Sequence, residues 1–354
     1  MPTVLWWGRG DREYSRNRTI AGLFAELGWE SEYFHPVGSE LGLVQAYLSG
    51  LKKPDLIWVP CFRQRDIFSA IHFARKWYVP LVCDPLTSAY QKEVYERMKF
   101  APGSWRARRR LRWESELFNA TDLVVLENSA YADFVHREMG VAREKLGVLY
   151  TGANTRFFVP MPASEPGPPF KVGFVGSFQP SMGTDVIVKA ARLCQALPCK
   201  WVLIGEGDDK PEAQRLAQGL SNIEFSGWVQ YENLPASMGE KHILLGIFGT
   251  TLKTDFVIPN KIFEAMAVAR PLITQKAGSY DDNIGGSDVI GWVPRGDSEA
   301  LAAKVREWIS APADLNARGQ ETRKLFDVYF GAEEQKKQLK SILQRVKGYL
   351  MVCA

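Results

Sequence analysis

Short apolar runs alternate along this chain with amphipathic stretches, and most runs are closed by glycine or a cluster of polar residues. Consecutive apolar residues suit a strand buried on both faces, whereas apolar positions three and four apart suit a helix lying over it. Thr3 to Trp7 reads as the first strand, Gly8-Arg9-Gly10-Asp11 as the loop after it, Thr19 to Leu27 as a helix ended by Gly28, and Glu30 to Phe34 as the next strand. Leu56–Val59 and Leu81–Asp84 follow, with a helix from Ile67 to Trp77 between them, then Asp122–Glu127 and Val148–Tyr150. These make a Rossmann-like domain of roughly six parallel strands. Phe170 to Val175, a helix over Asp185–Ala196, and Lys200 to Ile204 open a second unit of the same design. Between the two, Pro160–Pro169, PMPASEPGPP, is too rich in proline for a helix or a central strand and reads as a linker.

The predicted fold class is therefore α/β: two Rossmann-like domains, 1–160 and 168–331, with a cleft between them. The final stretch, 332–354, carries Leu339, Ile342, Leu343, Val346 and Leu350 at helical spacing with lysines between. Such a helix needs an apolar groove, supplied either by this chain or by a partner.

One stretch organises the candidate chemistry. Gly246 to Thr274, GIFGTTLKTDFVIPNKIFEAMAVARPLIT, reads as an apolar strand ending at Phe248, a loop, a helix starting just after Pro259, and a second strand from Pro271. In such units ligands gather beyond the carboxyl ends of the strands, where helix N-termini offer free N–H groups and a favourable dipole to phosphate. That position holds Lys253, Asn260, Lys261 and, one turn on, Glu264. Two cations can neutralise a diphosphate, and a carboxylate three residues after Lys261 can accept hydrogen bonds from paired sugar hydroxyls. The same residues also read as a solvated Lys-rich loop and a helix-surface Glu.

Polar groups also follow the strands of the first domain. Gly8 and Gly10 let the backbone approach a ligand or make an ordinary turn, and Tyr14 follows Glu13 where a dinucleotide fingerprint would have glycine. Arg63, Gln64, Arg65 and Asp66 follow one strand; Asp84, Thr87 and Ser88 close another. Of these, Arg63, Arg65 and Ser88 are the candidate acceptor contacts, and Asp84 the candidate for catalytic assistance.

Composition narrows the classes. A chain of 354 residues suits two domains, and 46% apolar with 24% charged residues describes a soluble globular protein. The sequence has no apolar run long enough to span a bilayer and no signal-like N-terminus, which points to the cytoplasm. Five scattered cysteines suggest a reducing compartment without a zinc site, and four histidines form no metal-binding pair. A net charge of +4 is too small to imply nucleic-acid binding. The charge is concentrated, however, in Trp105-Arg106-Ala107-Arg108-Arg109-Arg110-Leu111-Arg112-Trp113. This patch suits peripheral contact with an anionic membrane at its inner face, a solvated helix face, or arginines that hold an anionic acceptor.

Pro259-Asn260-Lys261-Ile262-Phe263-Glu264-Ala265-Met266-Ala267, followed by Arg270-Pro271-Leu272-Ile273, resembles the nucleotide-sugar signature of glycosyltransferase family 4, retaining enzymes of the GT-B fold. Glu264 matches the second glutamate of that signature, which the resemblance implies binds the ribose of the nucleotide, while Phe256 stands at the first. Gly176 to Gly183 resembles the family's Gly-Arg…Lys-Gly loop, but with Ser177 and Met182 at the charged positions. Gly205-Glu206-Gly207 closes the next strand, and Ile223–Val229 resembles the base-binding turn, where Trp228 would stack near the base and Val229 would read its edge by backbone groups, or Trp228 would pack in the core. Ala120–Val125, Tyr150–Phe158, Gly278–Asp281 and Gly291–Asp297 extend the similarity in order.

The resemblance implies a transferase that moves a sugar from a nucleotide diphosphate to a hydroxyl of a glycan or lipid-linked acceptor, as in surface polysaccharide synthesis. It implies no metal and no other cofactor. The implied donor set is Gly8, Gly10, Gly176, Ser177, Gly205, Trp228, Val229, Lys253, Asn260, Lys261 and Glu264, with Lys261, Glu264 and Asp84 as candidate catalytic groups. The C-terminal helix would cross back to the first domain. Two other functions fit the same scaffold: a nucleotide-sugar epimerase or hydrolase, and a non-catalytic scaffolding subunit, which the neutral Ser177, Met182 and Phe256 favour.

Overall fold

The computed structural model describes residues 1–39, 41–162 and 167–353, the side chains of 347–353 excepted. It divides into two compact units, one formed by Met1–Thr151 with Ala332–Ala354 and the other by Gly152–Gly331.

The first unit is built on β1 (Thr3–Trp7), β2 (Glu30–Phe34), β3 (Leu56–Val59), β4 (Leu81–Cys83), β5 (Leu123–Leu126) and β6 (Leu146–Val148). All pair in parallel in the order β2-β1-β3-β4-β5-β6. The predicted strand at Val148–Tyr150 lies two residues earlier, because β6 registers Leu146 against Val124. Trp6 stands between Tyr33 and Trp58 in register, and Phe24 of the helix Ser15–Glu26 meets Trp6 and Trp58 edge-on. Onto this core the C-terminal helix Ala332–Cys353 lays Leu339, Ile342, Leu343 and Val346, all buried. Gly147 lets it come close, since a Cβ there would lie 3.1 Å from Ile342. Gln335 Nε2 donates to Tyr150 O at 2.9 Å and Thr151 O at 2.8 Å, which fixes the start of the helix. The apolar stripe is thus covered by this chain and not by a partner, apart from Leu350, which lies outside the described side chains. Burial of four such residues stabilises the docked helix by about 1.5–3 kcal/mol each.

The second unit is built on β7 (Phe170–Val175), β8 (Cys199–Ile204), β9 (Ile223–Ser226), β10 (Ile243–Leu245), β11 (Leu272–Gln275) and β12 (Gly291–Val293), again parallel, in the order β12-β11-β10-β7-β8-β9. The strand expected to end at Phe248 ends at Leu245, and Gly246 to Phe248 already belong to the loop beyond it. Its core runs through Phe174, Phe178, Trp201, Leu203 and Ile273 to Leu301, Val305 and Trp308 of the helix Ser298–Ser310.

Of the Pro-rich stretch, residues 163–166 lie outside the described residues. Its beginning is held to the second unit. Met161 N–H donates to Val268 O at 3.2 Å, and the buried Arg270 donates to the carbonyls of Met161, Pro162 and Gly239. With Phe157 and Phe158 packed edge-on against Tyr231, this draws the unit boundary back to Thr151 and Gly152. Among the described residues no helix is long and apolar enough to cross a membrane.

Candidate functional site

The carboxyl ends of β7, β8 and β10 pass straight into glycines. Gly176 and Gly205 take φ of 150° and 137°, which L side chains rarely adopt. A Cβ on Gly205 would strike Gly176 O, and one on Gly176 would strike Lys261 Nζ. On Gly246 it would strike Thr274 Oγ1 and Ile262 Cδ1. The loops therefore close on one another and on the helix Asn260–Ala267 as tightly as bare backbone allows. Phe178 N–H to Glu206 O, 2.9 Å, and Phe248 N–H to Met182 O, 3.0 Å, tie them together.

Pro259 sits at the helix cap with φ −65°, a value its ring presets, and no side chain caps the first turn. The N–H groups of Asn260 and Lys261 are ones that an α-helix leaves without an intrahelical acceptor, while Ile262 N–H bonds Pro259 O at 2.9 Å. Lys261 lies on this turn, 7% exposed, with Nζ 3.6 Å from the centroid of the Phe174 ring and without a hydrogen-bond acceptor among the described residues. Burial drives its amine well below the usual lysine range, opposed by the charge of Glu264. Glu264, 8% exposed, is pushed up to about 7 by burial, opposed by Lys261. A buried amine without an acceptor, a carboxyl raised to about 7 and a helix N-terminus are groups that together can take an anion carrying hydroxyl groups. Neither residue is the solvated surface group of the simpler reading.

The remaining second-unit candidates surround this pair unevenly. Asn260 and Ser177 are half-buried, as are Lys253, on the turn Leu252–Asp255, and Val229. Trp228 is 71% exposed, so the core-packing alternative fails. Met182 packs against the core of its unit, which leaves no charge in the loop where the resemblance has lysine. Two groups escaped the sequence reading. Lys210 donates to Gly205 O at 2.9 Å, Ser226 O at 3.0 Å and Glu206 Oε1 at 2.7 Å, which locks the ends of β8 and β9. Arg295 pairs with Asp255 beside the Lys253 turn. The Glu206/Lys210 spacing of four was the signal available for the first; nothing in the sequence linked Arg295 to Asp255.

Gly8 and Gly10 belong to the first unit, where they line a small pocket with Arg12, Asn17, Tyr33 and His35. The Arg12 guanidinium lies 3.7 Å over the Tyr33 ring, and its Nη2 is 3.2 Å from His35 Nε2. The other first-unit candidates are engaged elsewhere. Asp84 is fully buried, and both its oxygens accept from Arg16 Nε at 2.8 Å. It is a structural ion pair and not an open catalytic carboxylate. Ser88, also buried, donates to Glu114 Oε2 at 2.6 Å and caps the turn at Gln91, so it offers nothing to an acceptor. Arg63 Nε donates to Asp66 at 2.7 Å, whereas Arg65 is exposed.

Residues 169–311 match the family model described as glycosyl transferases group 1. The chain is 30% identical over 168 residues to the O-antigen chain mannosyltransferase C of Escherichia coli, an alignment covering 45% of this chain and 42% of the relative. It is 24% identical over 237 residues to the putative colanic acid biosynthesis glycosyltransferase WcaL of Escherichia coli K12, covering 65% and 58%. The matches span about half the length of these relatives. The fold is similar to that of Anabaena Alr3699/HepE, solved in complex with UDP, with a TM-score of 0.69 and 16% identity over 97% of this chain and all of the other. The fold is GT-B, and the match to the family model falls within the second unit.

Proposed function

We propose that this protein transfers a sugar from a nucleotide diphosphate donor to a hydroxyl of a glycan or glycolipid acceptor in surface polysaccharide synthesis, with retention at the anomeric carbon. The observation that carries this reading is the buried Lys261 amine, without an acceptor, against Gly176 at the open N-terminus of the helix that also bears Glu264. The relatives named for O-antigen and colanic acid synthesis support the class of product, and the UDP complex of HepE supports a uridine nucleotide as one donor base to try first.

The anomeric C–O bond to the diphosphate breaks, its electron pair leaves with the diphosphate, and the acceptor oxygen forms the new bond on the same face. The acceptor proton passes to the departing phosphate oxygen. Lys261, Lys253 and the N–H groups at Asn260 and Lys261 would hold the charge that develops on the diphosphate, with no metal or other cofactor assigned to that task. Glu264 would bind the ribose, and Trp228 and Val229 would flank the base. A lipid-linked acceptor would place the protein in the cytoplasm at the inner face of the membrane.

The deciding experiment is thermal shift and calorimetry with UDP, GDP, ADP and their sugar conjugates on the wild type and Lys261→Ala. One nucleotide that binds the wild type and not the variant supports the donor site. Silence across the panel would favour a non-catalytic GT-B subunit, the reading that the neutral Ser177 and core-packed Met182 motivate.

A further inference from the structure

The basic segment noted in the sequence forms the first turns of the helix Trp105–Ala120, and its inner and outer faces are sharply divided. Inward, Ala107, Glu114, Leu117 and Phe118 are buried. Glu114 accepts from Ser88 Oγ at 2.6 Å, Ala89 N–H at 2.7 Å and Tyr90 N–H at 2.9 Å, and Glu93 takes Arg110 at 2.6 Å. Glu114 and Glu93 are thus engaged on the inner side.

Outward, Trp105 is 65% exposed, with Arg106, Arg108, Arg109 and Arg112 beside it. Positions 105, 108, 109 and 112 fall on one stripe at helical spacing. The preceding loop also exposes Arg97, Met98 at 73% exposure, and Lys99, whose Nζ lies 5.5 Å from the centroid of the Phe100 ring. Arg109 lies 5.6 Å from the centroid of the Trp105 ring, and Arg106 6.0 Å from that of Phe100. Among the described residues none of the six cations Arg97, Lys99, Arg106, Arg108, Arg109 and Arg112 forms an ion pair with a carboxylate. Glu116, exposed one turn beyond Arg112, is the acid that limits the face at that end.

We propose that this face docks the protein on an anionic bilayer. Unpaired arginines gain from lipid phosphates at a negatively charged surface, while Trp105 and Met98 enter the interfacial layer between them. Charge complementarity alone would suit any polyanion. The exposed apolar side chains set among the cations favour a surface with an apolar layer beneath its charge. The proposal adds a location to the function proposed above and does not depend on nucleotide binding.

The test is co-sedimentation of the full chain with vesicles of phosphatidylglycerol and phosphatidylcholine, and of phosphatidylcholine alone. The wild type should bind only the anionic vesicles and be released by high salt. Arg108→Glu/Arg109→Glu should weaken binding at least tenfold, and Trp105→Ala several-fold, with each variant keeping the wild-type melting temperature. Equal binding to neutral vesicles, or undiminished binding by the double variant, would overturn the proposal. So would Trp105→Ala binding as the wild type does while soluble polyphosphate competes fully, an outcome that assigns the face to a soluble polyanion. Any nucleotide-induced thermal shift of the wild type should persist in both variants, so failure here and failure of the donor site are read separately.

Discussion

Lys261 Nζ lies 3.6 Å from the centroid of the Phe174 ring and has no hydrogen-bond acceptor. The ring face attracts a cation, but a desolvated amine without an acceptor still lowers stability. An anionic ligand would provide the missing acceptor. Lys261→Met keeps the length of the stem and removes the amine, so the unliganded variant should be as stable as the wild type or about 1 kcal/mol more stable. The stabilisation by nucleoside diphosphate, about 2.7 kcal/mol at a hundred times its dissociation constant, should vanish. Denaturant unfolding with and without nucleotide checks both halves, and a large loss of stability in the unliganded variant would count against an unsatisfied amine.

Glu264 sets a pH dependence whose sign follows from its environment. Burial pushes its carboxyl up from 4.5 to about 7. The protonated form is therefore favoured in the folded state, and its contribution to stability is full below 4.5 and lost as pH rises through 7. Binding of ribose hydroxyls needs the ionised form, so nucleotide binding should release a proton below pH 7 and tighten by up to tenfold per unit as pH rises toward it. Calorimetry in buffers of different ionisation enthalpy measures that proton. Glu264→Gln should flatten both profiles.

The ion pair of Asp84 and Arg16 separates a structural role from a catalytic one. With both side chains fully buried, Asp84→Asn leaves the guanidinium charge uncompensated and should cost about 3–5 kcal/mol of stability. If transfer is assayed at a temperature where the variant remains folded, its turnover should stay within a few-fold of wild type. A loss of turnover by orders of magnitude without a loss of stability would restore the catalytic reading.

These residues show what the sequence could and could not express. The sheets were legible because an apolar run closed by glycine has few other uses, and the docked C-terminal helix because its apolar stripe at Leu339, Ile342, Leu343 and Val346 needed a cover. Lys261 and Glu264 could be placed at a helix start by their distance from Pro259. Their burial could not, since it depends on Phe174 and Gly176 arriving from another strand. Asp84 misled for the same reason. A polar residue at the carboxyl end of a strand faces either a ligand or a partner, and Arg16, 68 positions away, decides which.

Gly205 and Gly28 both hold positive φ, 137° and 77°, but differ in surroundings. A Cβ at Gly28 meets nothing within 4 Å, whereas at Gly205 it meets the Gly176 carbonyl, which belongs to the backbone and cannot swing aside. Gly28→Ala should cost about 1 kcal/mol from backbone strain alone. Gly205→Ala should cost clearly more and also weaken nucleotide binding, because the loop it displaces is the one that confines Lys261. Comparable melting temperatures for the two variants would show that the β7 and β8 loops are not packed as described.

Trp228 offers a test that stability cannot confound. At 71% exposure it makes little contribution to the folded core, so Trp228→Ala should leave the unfolding free energy within about 0.5 kcal/mol of wild type. Stacking of a base on an aromatic ring is worth about 1–3 kcal/mol, which corresponds to roughly a 5- to 150-fold loss of nucleotide affinity. Trp228→Phe, which keeps an aromatic face, should recover most of that loss. Because the sugar and diphosphate are held elsewhere, the effect should be as large for the free nucleoside diphosphate as for its sugar conjugate. A loss confined to the conjugate would place Trp228 against the sugar, and equal affinities in all three proteins would remove it from the site.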